Sequence, residues 1–289
     1  MKLGFIGTGI MGTGIIKNLL KSGYDVTVYN RTPAHAQAVL DDNAKWADSP
    51  RAVAAAADVT FTMVGFPQDV EQVYFGANGV LAGAKSGSVV VDMTTSQPRL
   101  AVRIAQAAAK AQVRELDAPV SGGDIGAQKG TLTIMVGGDR SAYDELQKVF
   151  AVMGNTRHYF GQAGAGQHAK MANQIMIAGT MTGLAEMLVY AKAAGLDLQT
   201  VLATVGEGGG ANWSLTNYGP RILAGDYTPG FFIKHFVKDL RIALEEADRM
   251  GLALPATEQA KALYEELLDA GQGDLGTQAL ITRYPGWQK

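Results

Sequence analysis

The stretch that decides the fold is Leu3-Gly4-Phe5-Ile6-Gly7-Thr8-Gly9-Ile10-Met11-Gly12. Leu3–Ile6 is a short β-rich run and Ile10–Lys21 has helical composition, so the glycines stand where a strand hands over to a helix. Gly7 permits a tight turn, Gly9 lets backbone approach a pyrophosphate, and Gly12 allows close helix–strand packing. The helix N-terminus, with Ile10 and Met11 in its first turn, offers unpaired N–H groups and a positive dipole end to phosphates. A glycine-rich turn with no ligand is the competing reading. The order strand, glycines, helix, strand favours a dinucleotide site.

Outward from this loop, the second strand, Asp25–Tyr29, runs into Asn30-Arg31-Thr32. An acid at that tip would accept the ribose 2′-hydroxyl of NAD. None stands there. The guanidinium fork of Arg31 suits a 2′-phosphate, with Asn30 and Thr32 adding neutral hydrogen bonds, so NADP is expected in preference to NAD. A solvated surface arginine is the alternative.

Further β-rich runs at Val59–Val64, Ser88–Met93 and Val113–Leu116 alternate with helix-like stretches at Pro33–Leu40, Pro50–Ala57, Val70–Phe75 and Pro98–Ala111. Near-continuous apolar strands between helices predict an α/β domain whose parallel sheet is covered on both faces. Thr131–Val136 and Thr156–Phe160 read as strands closing that sheet. After Gly161, Gly164 and Gly166 the character changes. Only helical patterns follow, at Gln167–Ala194, Leu198–Val205, Ile233–Met250 and Thr257–Asp269. The boundary is placed at 162/163: residues 1–162 form the nucleotide-binding domain and 163–289 an all-helical one. The helix from Gln167 would be roughly 40 Å long, and covering so long an apolar helix predicts a homodimer or homotetramer.

Composition narrows the partners. A formal net charge of −2 gives no global pull toward nucleic acid. With no cysteine, thiolate nucleophiles, thiolate metal sites and disulfides are excluded, which fits a cytoplasmic location. No apolar run approaches the ~20 residues that span a bilayer. His35, His158, His168 and His235 share no ligand spacing, so no metal is expected.

Hydride reduction of a carbonyl needs a proton donor for the developing alkoxide. Lys170 is the candidate: it stands in the first turns of a largely apolar helix, with Asn173 at i+3 on nearly the same face. Burial among Met171, Ala172 and Ile175 would depress its pKa toward acid–base use. The residues alone leave open a snorkelling lysine at a helix end. Asp117-Ala118-Pro119-Val120-Ser121-Gly122-Gly123 follows another strand, and the carboxyl ends of strands are where such sheets bind ligands. Ser121 and the backbone of Gly122 and Gly123 could hold a substrate carboxylate, or could simply form a strand-ending turn. In Gly206–Trp213, Trp213 either walls a substrate pocket or belongs to the core.

Together these segments resemble the β-hydroxyacid dehydrogenase family: Gly7–Gly23 its cofactor motif, Asp117–Ala127 its substrate motif, Gly161–Asn173 its catalytic motif, and Lys238-Asp239-Leu240 a C-terminal motif. The resemblance spans essentially the whole chain. It implies a Rossmann-type doubly wound sheet joined by a long helix to an all-helical C-terminal domain. It also implies Lys170 as the catalytic residue, Asn173 as a substrate-orienting amide, and Ser121, Gly122 and Gly123 as substrate positions. Met63-Val64-Gly65, Thr95 and Lys238 fall at cofactor positions. The implied reaction is NADP-dependent oxidation of a small 3-hydroxyacid, or reduction of its semialdehyde, in the manner of 3-hydroxyisobutyrate dehydrogenase. Tartronate and glyoxylate/succinic semialdehyde reductases are alternatives of the same class, and a catalytically silent NADPH-binding scaffold is one of another class. Gln174 departs from members that carry a second asparagine after the position of Asn173.

Overall fold

The structure is a computed structural model, and residues 1–287 are described. The chain divides into two compact units, Met1–Lys170 and Met171–Lys289.

In the first unit a nine-stranded sheet comprises β1 (Lys2–Ile6), β2 (Asp25–Tyr29), β3 (Lys45–Trp46), β4 (Val59–Thr62), β5 (Val89–Asp92), β6 (Arg114–Asp117), β7 (Val120–Ser121), β8 (Thr133–Gly138) and β9 (Thr156–Gly161). The order β3-β2-β1-β4-β5-β6 is parallel throughout. This is the Rossmann arrangement, in which the order reverses beside β1 and opens a ligand crevice at the carboxyl ends of the strands. Every residue of β4 and β5 is buried, as expected of strands covered on both faces. One face packs Leu3, Phe5, Ile15, Leu19 and Phe61 into a core, and the other packs Ile6, Val53, Tyr74, Val90 and Ile104.

The sheet is not parallel to its end. β8 runs antiparallel to both β6 and β7, and β9 pairs parallel to β8. The two-residue strands β3 and β7 are too short to show a sequence period. The helices Gly123–Lys129, Arg140–Glu145 and Gln147–Met153 also went unpredicted, each no longer than seven residues.

The second unit is helical. Leu198–Gly206, Trp213–Leu223, Ile233–Arg249 and Pro255–Asp269 surround a core that includes Leu188, Phe236, Leu240 and Tyr264. The helix Trp213–Leu223 escaped prediction because Pro220 lies inside it and glycines precede it. The long helix Ala165–Ala193 has 29 residues, which at ~1.5 Å per residue makes it about 43 Å long. Its first turns belong to the first unit and its remainder to the second. Among the described residues no helix is long and apolar enough to cross a membrane.

Candidate active site

The glycine loop lies at the carboxyl end of β1. Gly7 has φ +101°, and a β-carbon on it would stand 2.0 Å from the Met63 carbonyl oxygen. On Gly12 a β-carbon would stand 2.0 Å from the Gly7 carbonyl oxygen and 3.3 Å from Phe5. Both glycines are required by packing within the chain. Gly9 is different: its φ is −70° and a β-carbon there would meet nothing within 4 Å. Gly9 caps the helix Ile10–Lys21 without a side-chain hydrogen bond, so the loop's amide end is bare backbone.

At the tip of β2, Asn30 serves the loop itself. Its Oδ1 accepts the Thr8 N–H at 3.0 Å and its Nδ2 donates to the Thr32 carbonyl at 2.9 Å. Both ends of its amide are thus engaged within the protein. Arg31 is the exposed member of the trio, with its side chain 79% accessible. Its Nη1 reaches Asp69 Oδ1 at 3.0 Å, while Asp69 Oδ2 accepts the Phe66 N–H that opens the helix Pro67–Phe75.

Behind the loops runs a buried polar network. The Thr94 N–H donates to Asp92 Oδ1 at 3.0 Å, and Thr94 Oγ1 accepts the Val64 N–H at 3.0 Å, fixing the Met63-Val64-Gly65 turn. Gln167 Nε2 donates to the Thr94 carbonyl at 2.7 Å and its Oε1 accepts the Ser96 N–H at 2.9 Å. Asp117 accepts the N–H groups of Gly164 and Gln167, both at 2.8 Å. Burial raises the Asp117 pKa, opposed by these backbone bonds. Thr94 is turned into the fold, whereas its neighbour Thr95 is half-buried. A β-carbon on Gly166 would lie 2.5 Å from the carbonyl oxygens of both Asp117 and Met135, so the long helix starts backbone-against-backbone on β6 and β8.

Lys170 follows Gln167 by one turn and is buried, 6% exposed. Ser121 ends β7, paired with Thr133. Gly122 and Gly123 have φ +125° and +63°, and Gly123 begins a helix rather than a flexible turn. An L side chain would be strained at either position.

In the second unit, Asn173 Nδ2 donates to Gln174 Oε1 at 2.7 Å and Gln174 Nε2 donates to Asp239 Oδ2 at 2.6 Å. Lys238 Nζ lies 2.9 Å from Asp239 Oδ1. Trp213 opens the helix Trp213–Leu223, 60% exposed and edge-on to Tyr218, which corrects the reading of it as a core residue. Among the described residues no cluster of His, Cys, Asp or Glu could hold a metal ion.

Sequence reasoning missed Asp92, Thr94 and Gln167, and assigned no role to Gln174. The available signal was a glutamine at 167 and another at 174 on the buried face of an apolar helix, where an unpaired amide would be costly.

A Rossmann sheet with a bare glycine loop at its switch point marks a dinucleotide-binding domain. Residues 2–164 match the family model described as the NAD binding domain of 6-phosphogluconate dehydrogenase. Residues 164–284 match the one described as NAD-binding of NADP-dependent 3-hydroxyisobutyrate dehydrogenase. The chain is 48% identical over 287 residues to the uncharacterized oxidoreductase YkwC of Bacillus subtilis, covering 99% of both chains. It is 50% identical over 281 residues to the probable mitochondrial 3-hydroxyisobutyrate dehydrogenase-like 1 of Arabidopsis thaliana, covering 97% of this chain and 84% of that one. The structure matches that of Mycobacterium tuberculosis 3-hydroxyisobutyrate dehydrogenase with L-serine at TM-score 0.89 and 30% identity, over 97% of this chain and 98% of that one. The chain belongs to the β-hydroxyacid dehydrogenase family.

Proposed function

We propose that the protein exchanges hydride between NADP(H) and a small 3-hydroxyacid/semialdehyde pair, in the manner of 3-hydroxyisobutyrate dehydrogenase. The observation that carries this reading is Gly9. Neither its backbone angles nor its neighbours demand glycine, and the absence of a side chain there leaves the backbone open to a ligand lying on it, as a pyrophosphate does. Residues 1–162 hold the dinucleotide and 163–289 complete the chemistry. Gly7, Gly9 and Gly12 form the cradle, and the amides at Ile10 and Met11 face the phosphates. Arg31 selects the 2′-phosphate, flanked by Asn30 and Thr32, which supports NADP over NAD. Met63, Val64, Gly65, Thr95 and Lys238 line the path of the cofactor, and the bound nicotinamide supplies or accepts the hydride.

The chain's own residues manage the rest. Ser121 and the backbone N–H groups of Gly122 and Gly123 hold the substrate carboxylate, and Trp213 is a further substrate-binding residue. Lys170 Nζ gives its proton to the carbonyl oxygen as that oxygen gains charge, and takes it back when the alcohol is oxidised. Asn173 orients the reacting group. The printed names of the relatives support this substrate class.

The test is oxidation of NADPH, with NADH in parallel, by glyoxylate, succinic semialdehyde, tartronate semialdehyde and methylmalonate semialdehyde. Turnover of at least one, with NADPH strongly preferred, is expected. Lys170→Ala should nearly abolish it while NADPH binding persists. A Lys170→Ala variant that kept most of its turnover would overturn the mechanism.

A further inference from the structure

The tip of β2 carries no acid in the sequence, but the fold brings one to it. Asp69, 38 residues further along, places Oδ1 3.0 Å from Arg31 Nη1. Its other oxygen, Oδ2, accepts the Phe66 N–H at 3.2 Å, so Asp69 stands in the first turn of the helix Pro67–Phe75 with both oxygens engaged. A carboxylate in that turn is favoured by the positive end of the helix. The Asp69 side chain is 21% accessible against 79% for Arg31, so the acid is the fixed member of the pair.

That fixity bears on any phosphate held by Arg31. A guanidinium offers several N–H donors, and Nη1 is already directed at Asp69. A 2′-phosphate taking the remaining donors shares one cation with a carboxylate that cannot withdraw without giving up the Phe66 N–H. The two anions then stand well inside the ~8–10 Å over which physiological salt screens charge. Asn30 and Thr32, on either side of Arg31, carry no charge to offset the repulsion. A ribose 2′-hydroxyl is neutral and meets no such opposition.

We propose that Asp69 is a specificity-determining residue: its charge opposes the 2′-phosphate that Arg31 attracts and so narrows the preference for NADP over NAD. The inference rests on the reading of Arg31 as the selector of the 2′-phosphate and adds the residue that limits that selection. Discrimination at the tip of β2 thus combines an attractive group with a repulsive one. Because Arg31 keeps its place, NADP(H) remains the better ligand while NAD(H) is not shut out.

Calorimetric titration of the full chain with NADPH and with NADH tests this without turnover. Asp69→Asn keeps a side-chain oxygen for the Phe66 N–H and removes the charge. It should tighten NADPH about three- to tenfold, the worth of one charge a few ångströms from a phosphate at an exposed site, and change NADH less than about twofold. The gain should shrink as NaCl is raised from about 0.05 to about 0.5 M, because screening removes what the substitution removes. Adenosine 2′,5′-bisphosphate, titrated against adenosine 5′-monophosphate, should show the same contrast, which places the effect at the 2′ position. Weaker NADPH binding by Asp69→Asn would overturn the proposal, since Asp69 would then be holding Arg31 in place for the phosphate. An equal shift with both cofactors, or a gain indifferent to salt, would overturn it too. Arg31→Ala, titrated alongside, separates the two readings. If it binds NADPH as tightly as the parent, selection by Arg31 fails and the role of Asp69 falls with it. If it loses NADPH while Asp69→Asn changes nothing, only the role of Asp69 fails. Should Asp69→Asn not fold, Asp69→Ser, which can also accept the Phe66 N–H without a charge, takes its place.

Discussion

Asp117 Oδ2 accepts the backbone N–H of Gln167 at 2.8 Å, so the turn leading to Lys170 is fastened to the carboxyl end of β6. The side chain of Gln167 is fastened in turn to the loop after β5, through Thr94 and Ser96. Lys170 therefore owes its place to the same strand ends that carry the nucleotide loops. Gln167→Leu would leave the Ser96 N–H and the Thr94 carbonyl without their partner, at about 1–3 kcal/mol each. The expected loss is about 2–6 kcal/mol in urea denaturation, with a fall in kcat because the turn before Lys170 relaxes. Unchanged stability would show that water satisfies both groups.

The two neighbouring glycines should separate folding from binding. Gly9→Ala has space and an ordinary φ, so its melting temperature should stay within a degree or two of the parent's, while NADPH binding weakens at least about tenfold. Gly12→Ala forces a β-carbon onto the Gly7 carbonyl and should cost stability by about 1–3 kcal/mol or more. Calorimetric melting and NADPH titration of the two variants check the contrast.

Arg31 is exposed and its pair with Asp69 is largely solvated, so removing it should barely move stability. Its cost should fall on the cofactor. Arg31→Ala is expected to raise the KM for NADPH by about 10–100-fold, the worth of a hydrogen-bonded charge, and to leave that for NADH nearly unchanged. Equal losses with both cofactors would remove Arg31 as the selector of the 2′-phosphate.

A buried carboxyl, Glu115, and a half-buried imidazole, His235, give stability opposite pH slopes. Burial, reinforced by Asp117 and Asp92, holds the Glu115 pKa well above its ordinary 4.5, so the fold keeps a proton that the unfolded chain releases. Stability from this group is lost as pH rises above the ordinary carboxylate range. Burial, helped by the Lys238 charge, pushes His235 down to about 4 from 6.5. The unfolded chain then binds the extra proton, and stability is lost as pH falls from 6.5 toward 4. Glu115→Gln should flatten the decline above the ordinary carboxylate range, and His235→Gln the decline below about 6.5, in urea midpoints measured from acid to neutral pH.

Much of the candidate site could be named from the chain because its signals are local. The strand, Gly7, Gly9, Gly12 and the helix after them are contiguous, and so is the spacing of Lys170 and Asn173 along one helix. The same locality accounts for what escaped. β3 and β7 are two residues each, and Pro220 hides a helix from any reading by composition.

What the sequence by itself determined is the Rossmann-type order of strands and helices, the glycine loop and the residues that carry charge. Periodicity and turn chemistry act over a few residues and do not depend on the rest of the chain. What only the tertiary structure decided is how those residues are held. Gln167 meets Asp117 across 50 residues and Ser96 across 71, and Gln174 meets Asp239 across 65. No period in the sequence links such pairs. Each buried amide takes the partner that folding brings within hydrogen-bond reach, and that choice anchors the turn before Lys170.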